Sequence, residues 1–235
     1  MSSTASAVYQ YADARRTILC YGDSNTWGND PAQGGRLASV VRWSGRLRTE
    51  LGDAATVIEE GCNGRTTVRD DPLDPHRNGR EYLIPCLLSH APLDLVVLLL
   101  GTNDLKAHFA LTAADIAAGI ASLIDVVHAS SAGRFGTPPS VLVVAPAPLV
   151  ATPHYAAYFS DASIATSRQL ATAYEDVARA KGAAFLDAGS VTGPCAEDGV
   201  HLGIAQHRAL ATAVAAKVRA VLGLAAGASP LEASP

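Results

Sequence analysis

Short apolar runs alternate along the chain with stretches in which apolar residues return every three or four positions. Thr17 to Tyr21, Thr56 to Glu60, Leu93 to Leu100, Val141 to Val144 and Ala184 to Asp187 read as five strands. The Leu93 to Leu100 run is apolar except at Asp94, the pattern of a central parallel strand covered on both faces. Between the strands, Val40, Trp43, Leu47 and Leu51 share helical spacing, with Gly52 as a stop. Asn78-Gly-Arg-Glu81 resembles a cap opening a helix that carries Leu83, Leu87 and Leu88. Thr112 and Asp115 form a capping box for a helix to Ser130, whose apolar stripe is Ile116, Ile120, Leu123 and Val127. One helix is expected from Ser163 to Lys181, and a last one carries Ile204, Leu210, Val214, Val218 and Val221. Strict alternation predicts right-handed crossovers and a three-layer α/β/α sandwich around a five-stranded parallel sheet.

Length and composition fit that picture. A chain of 235 residues holds one α/β domain with a complete core, and 49% hydrophobic against 17% charged residues describes a packed globule. The domain is expected over 16–222, with a loose arm over 1–15 and a tail rich in Ala, Gly, Ser and Pro over 223–235. A net charge of −4 supplies no basic field for nucleic acid. No apolar run reaches the roughly 20 residues of a membrane span, and the first residues lack the apolar centre of a secretory signal, so a cytoplasmic location is expected. The four cysteines have neither paired zinc spacing nor the density of a disulfide scaffold, and buried free thiols are expected.

Four polar segments fall at strand ends or just before the terminal helix, so the topology would gather them on one rim. They are Gly22-Asp-Ser-Asn25, Gly61-Cys-Asn-Gly64, Gly101-Thr-Asn-Asp104 and Asp198-Gly-Val-His201. A serine hydroxyl needs a base, and an imidazole titrating near ~6.5 can serve at neutral pH. That assigns Ser24 as nucleophile and His201 as base, with Asp198 close enough in a tight turn to fix the ring tautomer. The Ser24 N–H, the Gly64 N–H and the Asn103 amide are the candidate donors for a developing oxyanion, Gly64 because a residue without Cβ allows close approach. Singly, each segment is also ordinary turn chemistry. The pocket is expected to draw on residues flanking these segments: Asp23, Asn25, Trp27 and Asn29 beside the serine, and Cys62 and Asn63 beside Gly64. Val200 beside the histidine, and His154 and Phe159 from the aromatic stretch after the fourth strand, complete it.

In order and in residue type, these blocks resemble the SGNH (GDSL-type) hydrolase family, over most of residues 17–222. Ser24, Gly64, Asn103 and His201 match the four residues of the family name, with Asp198 three positions before the histidine. Arg42-Trp43, Glu59-Glu-Gly61, Arg65-Thr-Thr67, Asp70-Asp-Pro72, Pro92-Leu-Asp94 and Leu100 to Asp104 are similar to its aryl esterase and acyltransferase (perhydrolase) branch. The resemblance implies a flavodoxin-like sheet, a small ester substrate, no metal or cofactor, and homo-oligomers whose neighbouring subunits narrow the entrance. Asn25 stands where the family more often has Leu, and Asn29-Asp30 replace a bulky aromatic at the entrance, which implies a more polar mouth.

Other polar patterns in the chain have simpler readings. Asp187 is a second candidate for the orienting acid, ranked below Asp198 because a strand-end Asp is often a turn former. Asp70, Asp71, Asp74 and His76, interleaved with prolines, read as Asx turns rather than a calcium loop. His90, His108, His128, His154 and His207 share no metal spacing. Thr26 excludes the Gly-x-Ser-x-Gly elbow, and no nucleotide-binding glycine motif follows the first strand. The expected activity is serine ester hydrolysis through an acyl-enzyme. The alternatives are a carbohydrate acetylesterase and a non-catalytic binding domain on the same scaffold.

Overall fold

The computed structural model describes residues 15–225, and the expected arm and tail lie almost wholly outside them. Five parallel strands form one sheet in the order β2-β1-β3-β4-β5: β1 Arg16–Gly22, β2 Ala55–Gly61, β3 Leu95–Leu99, β4 Ser140–Ala145 and β5 Ala184–Asp187. Every crossover carries helix, as parallel neighbours require. The order reverses between β1 and β3, so the crevice of the sheet opens beyond the ends of those two strands.

Alternating side chains build two cores. Leu19, Tyr21, Val96, Leu98, Val141 and Val143 face one side, where α3 Gly79–His90, α4 Ala113–His128 and α6 Leu170–Lys181 cover them. Ile18, Cys20, Leu95, Val97, Leu142 and Val144 face the other, under α2 Trp43–Leu51 and α7 Ile204–Leu222. Each fully buried leucine of β3 contributes about 1.5–3 kcal/mol relative to exposure. Burial on both faces explains why this strand is apolar at successive positions.

The Thr112 and Asp115 capping box is present on α4, and Asn78 Oδ1 accepts from the Arg80 N–H at the start of α3. Three expectations need correction. Strand β3 begins at Leu95, because the Asp94 carboxylate is held below it by Arg16, Arg134 and the Thr17 N–H. Val40 precedes α2 and is 72% exposed, so its helical spacing with Trp43 is fortuitous. The expected single helix from Ser163 to Lys181 is two, α5 Asp161–Ser167 and α6, because Ser167 Oγ bonds back to Ile164 O and receives the Leu149 N–H at the break.

Candidate active site

Strand β1 ends at Gly22 and the chain turns at once into a single helical turn, α1 Ser24–Trp27, where the sequence alone suggests only a loop. Asp23 caps it, its Oδ1 accepting the Asn25 N–H at 2.9 Å. Ser24 is therefore the first helical residue, with a main-chain N–H that has no acceptor inside the helix. The loop before α7 brings the imidazole from the other side: His201 Nε2 lies 2.9 Å from Ser24 Oγ, and its Nδ1 lies 2.7 Å from Asp198 Oδ2. Asp198 Oδ1 accepts the N–H groups of Val200 and His201, so the carboxylate is fixed by its own turn. Burial alone would raise the Asp198 pKa, but the hydrogen bonds from His201 and Val200 hold it below the usual carboxylate value. Gly199 makes the turn possible: its φ is +72°, and a Cβ there would stand 2.1 Å from the Val150 carbonyl.

The remaining donors converge from β2 and β3. Cys62 N–H bonds to Gly22 O and Arg65 N–H to Cys62 O, folding the loop back over the end of β1, with Gly64 at φ +76°. Asn103 opens a 3-10 turn after β3, and its amide nitrogen gives one hydrogen to Arg65 O at 3.1 Å. The second amide hydrogen stays available. Ser24, Gly64, Asn103 and His201 all line one cavity of about 210 Å³.

Of the pocket residues expected from sequence, Asn29, Asn63, Phe159 and Val200 line that cavity. The others do not. Asp23 is buried beneath it, Trp27 packs under the Arg36 guanidinium at 5.2 Å, Cys62 lines a neighbouring cavity, and His154 is exposed with its ring edge-on to Tyr155. Asn25 is turned away as well: its Oδ1 accepts the Leu202 N–H at 2.9 Å and its Nδ2 reaches Val200 O at 3.4 Å, lashing the serine turn to the histidine loop. Asp187 is a turn former, accepting the Gly189 N–H.

Sequence reasoning missed Lys106, and it placed Tyr155 and Tyr158 at the pocket only as part of the stretch 153–159. Tyr155 packs edge-on against the His201 ring, with centroids 5.6 Å apart, and belongs to the aromatic stretch whose lining role was anticipated only in general. Lys106 follows Asn103-Asp104 closely enough to be suspected, but its partner is remote: its Nζ donates to buried Asp71 at 2.7 Å, which His108 also approaches. Of the residues expected to form Asx turns only Asp71 does so, accepting the Leu73 N–H, whereas Asp70 meets the Asn78 side-chain amide and Asp74 pairs with Arg77.

This arrangement can move a proton from a hydroxyl through an imidazole braced by a carboxylate, beside donors suited to an anionic oxygen. The GDSL-like lipase/acylhydrolase family profile matches residues 20–209, which spans all four segments. The chain belongs to that family. Among solved structures, the M. smegmatis aryl esterase is similar at 43% identity and a TM-score of 0.84, covering 88% of this chain and 99% of its own. A carbohydrate acetylesterase from Sinorhizobium meliloti is 39% identical with the same TM-score, over 88% and 100% of the two chains. A GDSL lipolytic protein from Veillonella parvula, 15% identical at a TM-score of 0.61, shares the fold. No functionally curated protein matches. This GDSL family member is a serine ester hydrolase with the SGNH fold. Among the described residues no helix is long and apolar enough to cross a membrane.

Proposed function

We propose that the chain cleaves aryl and short-chain acyl esters through an acyl-enzyme on Ser24. The observation that carries the reading is the unbroken relay from Asp198 through His201 to Ser24 Oγ, opening on the cavity that Gly64 and Asn103 also line. Ser24 Oγ attacks the ester carbonyl while His201 Nε2 takes its proton, and Asp198 stabilises the imidazolium. The carbonyl oxygen, now anionic, is held by the Ser24 and Gly64 N–H groups and the Asn103 amide. The tetrahedral intermediate collapses as His201 returns the proton to the departing alcohol, and water then repeats the cycle on the acyl-serine.

The cavity has two chemical halves. Tyr155, Tyr158, Phe159 and Val200 give an apolar wall for an acyl or aryl group, and Asn29, Asn63 and Lys106 give a polar one. The polar wall supports hydrolysis ahead of transfer to alcohols or hydrogen peroxide, since it retains water at the acyl-serine. Similarity to the M. smegmatis aryl esterase supports the aryl substrate, and similarity to the S. meliloti enzyme keeps acetylated carbohydrate as the second reading. Self-association is part of the proposal: Tyr158 and Val150, each half-exposed near the mouth, are apolar surface that a second copy would cover. Cytoplasmic residence fits thiols that are all free among the described residues.

Turnover of p-nitrophenyl acetate, with fluorophosphonate labelling, tests the reading. Labelling at Ser24 that Ser24→Ala abolishes is the expected result, and an unlabelled, fully folded protein overturns it. A chain-length series of p-nitrophenyl esters, set against acetylated xylan, separates the two substrate readings. Light scattering of the eluting protein tests self-association.

A further inference from the structure

A second cavity, of about 430 Å³, lies on the far side of the Cys62 loop, with Glu60, Cys62, Arg65 and Tyr82 in its walls. The helix that supplies Tyr82, α3, also carries Cys86 and His90 four residues apart, so both side chains lie on one helix face a turn from each other. Strand β2 brings Glu60 to the same place. One ligand atom from each of the three lies within 4.8 Å of the other two, and His90 Nε2 is 2.8 Å from Glu60 Oε1. We propose that Glu60, Cys86 and His90 form a binding site for one thiophilic divalent cation, of which Zn²⁺ is the best match.

The donor set decides the class of ion. One thiolate, one imidazole and one carboxylate suit Zn²⁺ or Co²⁺, whereas Mg²⁺ and Ca²⁺ take oxygen donors. Bond lengths of about 2.0–2.3 Å in tetrahedral geometry separate ligand atoms by roughly 3.3–3.8 Å. Uptake therefore opens the Glu60–His90 contact slightly and draws the thiol in. Access is available, since the Glu60 and His90 side chains are 21% and 29% exposed. Tyr82 Oη, 3.3 Å from the other Glu60 oxygen, steadies the carboxylate as an outer partner does, and a water can take the fourth position. Arg65, the neighbouring cation, is engaged by the carbonyls of Gly22 and Glu60 and stacked on Tyr21 and Tyr82.

Binding forms a sulfur–metal bond and expels the thiol proton to solvent, so affinity rises with pH. The ion would clasp α3 to the end of β2, immediately before the loop that carries Gly64. It stands apart from the Ser24 relay, and its test does not rest on activity.

The full-length protein, stripped with EDTA, is titrated with Co²⁺. The expected result is one equivalent bound, with the near-ultraviolet thiolate-to-cobalt band and the visible bands of a tetrahedral ion, all displaced by Zn²⁺. Cys86→Ser should abolish the near-ultraviolet band, and His90→Gln or Glu60→Gln should weaken Co²⁺ binding at least about tenfold. Cys62→Ser, whose thiol lines the adjoining cavity, should keep the band. If Cys86→Ser does not fold, Zn²⁺ should raise the Tm of the parent protein and not that of His90→Gln. Absence of the band in the parent protein, its survival in Cys86→Ser, its loss in Cys62→Ser, or an equal Zn²⁺ effect on the Tm of His90→Gln overturns the proposal.

Discussion

Two imidazoles in this molecule rest on carboxylates at nearly the same distance, His201 on Asp198 at 2.7 Å and His90 on Glu60 at 2.8 Å, yet only the first also reaches a serine hydroxyl. Surroundings make the difference. The His201 side chain is 8% exposed and its carboxylate 2%, and the other carboxylate oxygen accepts two main-chain N–H groups, so neither partner can swing away. The His90 pair is several times more open and shares its carboxylate with a tyrosine hydroxyl. The third partner matters as much: a serine at a strand end under the His201 ring, a buried thiol one helical turn from His90. A carboxylate–imidazole contact therefore has no fixed meaning, and what the far side of the ring meets decides what the pair does.

The largest test breaks the His201 relay at its reacting end. Ser24→Ala should lower kcat for p-nitrophenyl acetate by about 10⁴–10⁶ with the melting temperature almost unchanged, because only the reacting oxygen is lost. The same removal on the other pair, His90→Gln, should leave kcat within about threefold, since His90 does not line the cavity on which Ser24 opens. Equal losses in the two variants would remove the distinction. Asn103→Ala comes next: about 10² to 10³ in kcat, with KM little changed, the signature of a donor that acts on the developing oxyanion. A loss confined to KM would assign Asn103 to ground-state binding instead.

A smaller effect asks what holds the relay together. Asn25 bridges the serine turn to the histidine loop, and Asn25→Ala leaves the Leu202 N–H and the Val200 carbonyl without that bridge. Stability in urea should fall by about 1–3 kcal/mol, the cost of unpaired buried polar groups. Asn25→Asp should recover part of it, because its carboxylate still accepts the Leu202 N–H.

Much of this was legible from the chain alone, for physical reasons that differ by residue. Strand β3 and the capped helix α4 were visible because burial on two faces and reciprocal capping are local rules written in consecutive residues. Ser24, Gly64, Asn103 and His201 were gathered correctly into one cavity because parallel topology places strand ends on one rim. Asn25, Lys106 and the Glu60–Cys86–His90 group were not legible. Their roles depend on partners far away in sequence: Asn25 on the loop at Val200 and Leu202, Lys106 on Asp71, and His90 on Glu60. The break between α5 and α6 was hidden likewise, since Ser167 stops the helix by accepting from Leu149.

A third imidazole, without any carboxylate, sharpens the comparison. His207 is fully buried on α7, where its Nδ1 accepts the Trp43 N–H at 3.2 Å, and burial together with Arg42 and Arg46 lowers its pKa from 6.5 to about 4. The folded state binds fewer protons there than the unfolded one, so the contribution of His207 is full above 6.5 and is lost as pH falls towards 4. Asp23 has the opposite sign. Burial raises its pKa from 3.8 to about 6, so its contribution is full below 3.8 and is lost as pH rises through 6. Asp104 beside Thr67 is also raised to about 6 and adds to the Asp23 side. Between about pH 5 and pH 7 these slopes oppose each other, and the parent protein should show a shallow stability profile. His207→Gln, which keeps an acceptor for the Trp43 N–H, should gain about 1–2 kcal/mol relative to the parent as pH drops across that window. Asp23→Asn should lose about 1 kcal/mol relative to the parent over the same interval. Urea midpoints at the two ends of the window measure both. Slopes of the same sign would show that buried groups other than His207 and Asp23 set the pH response.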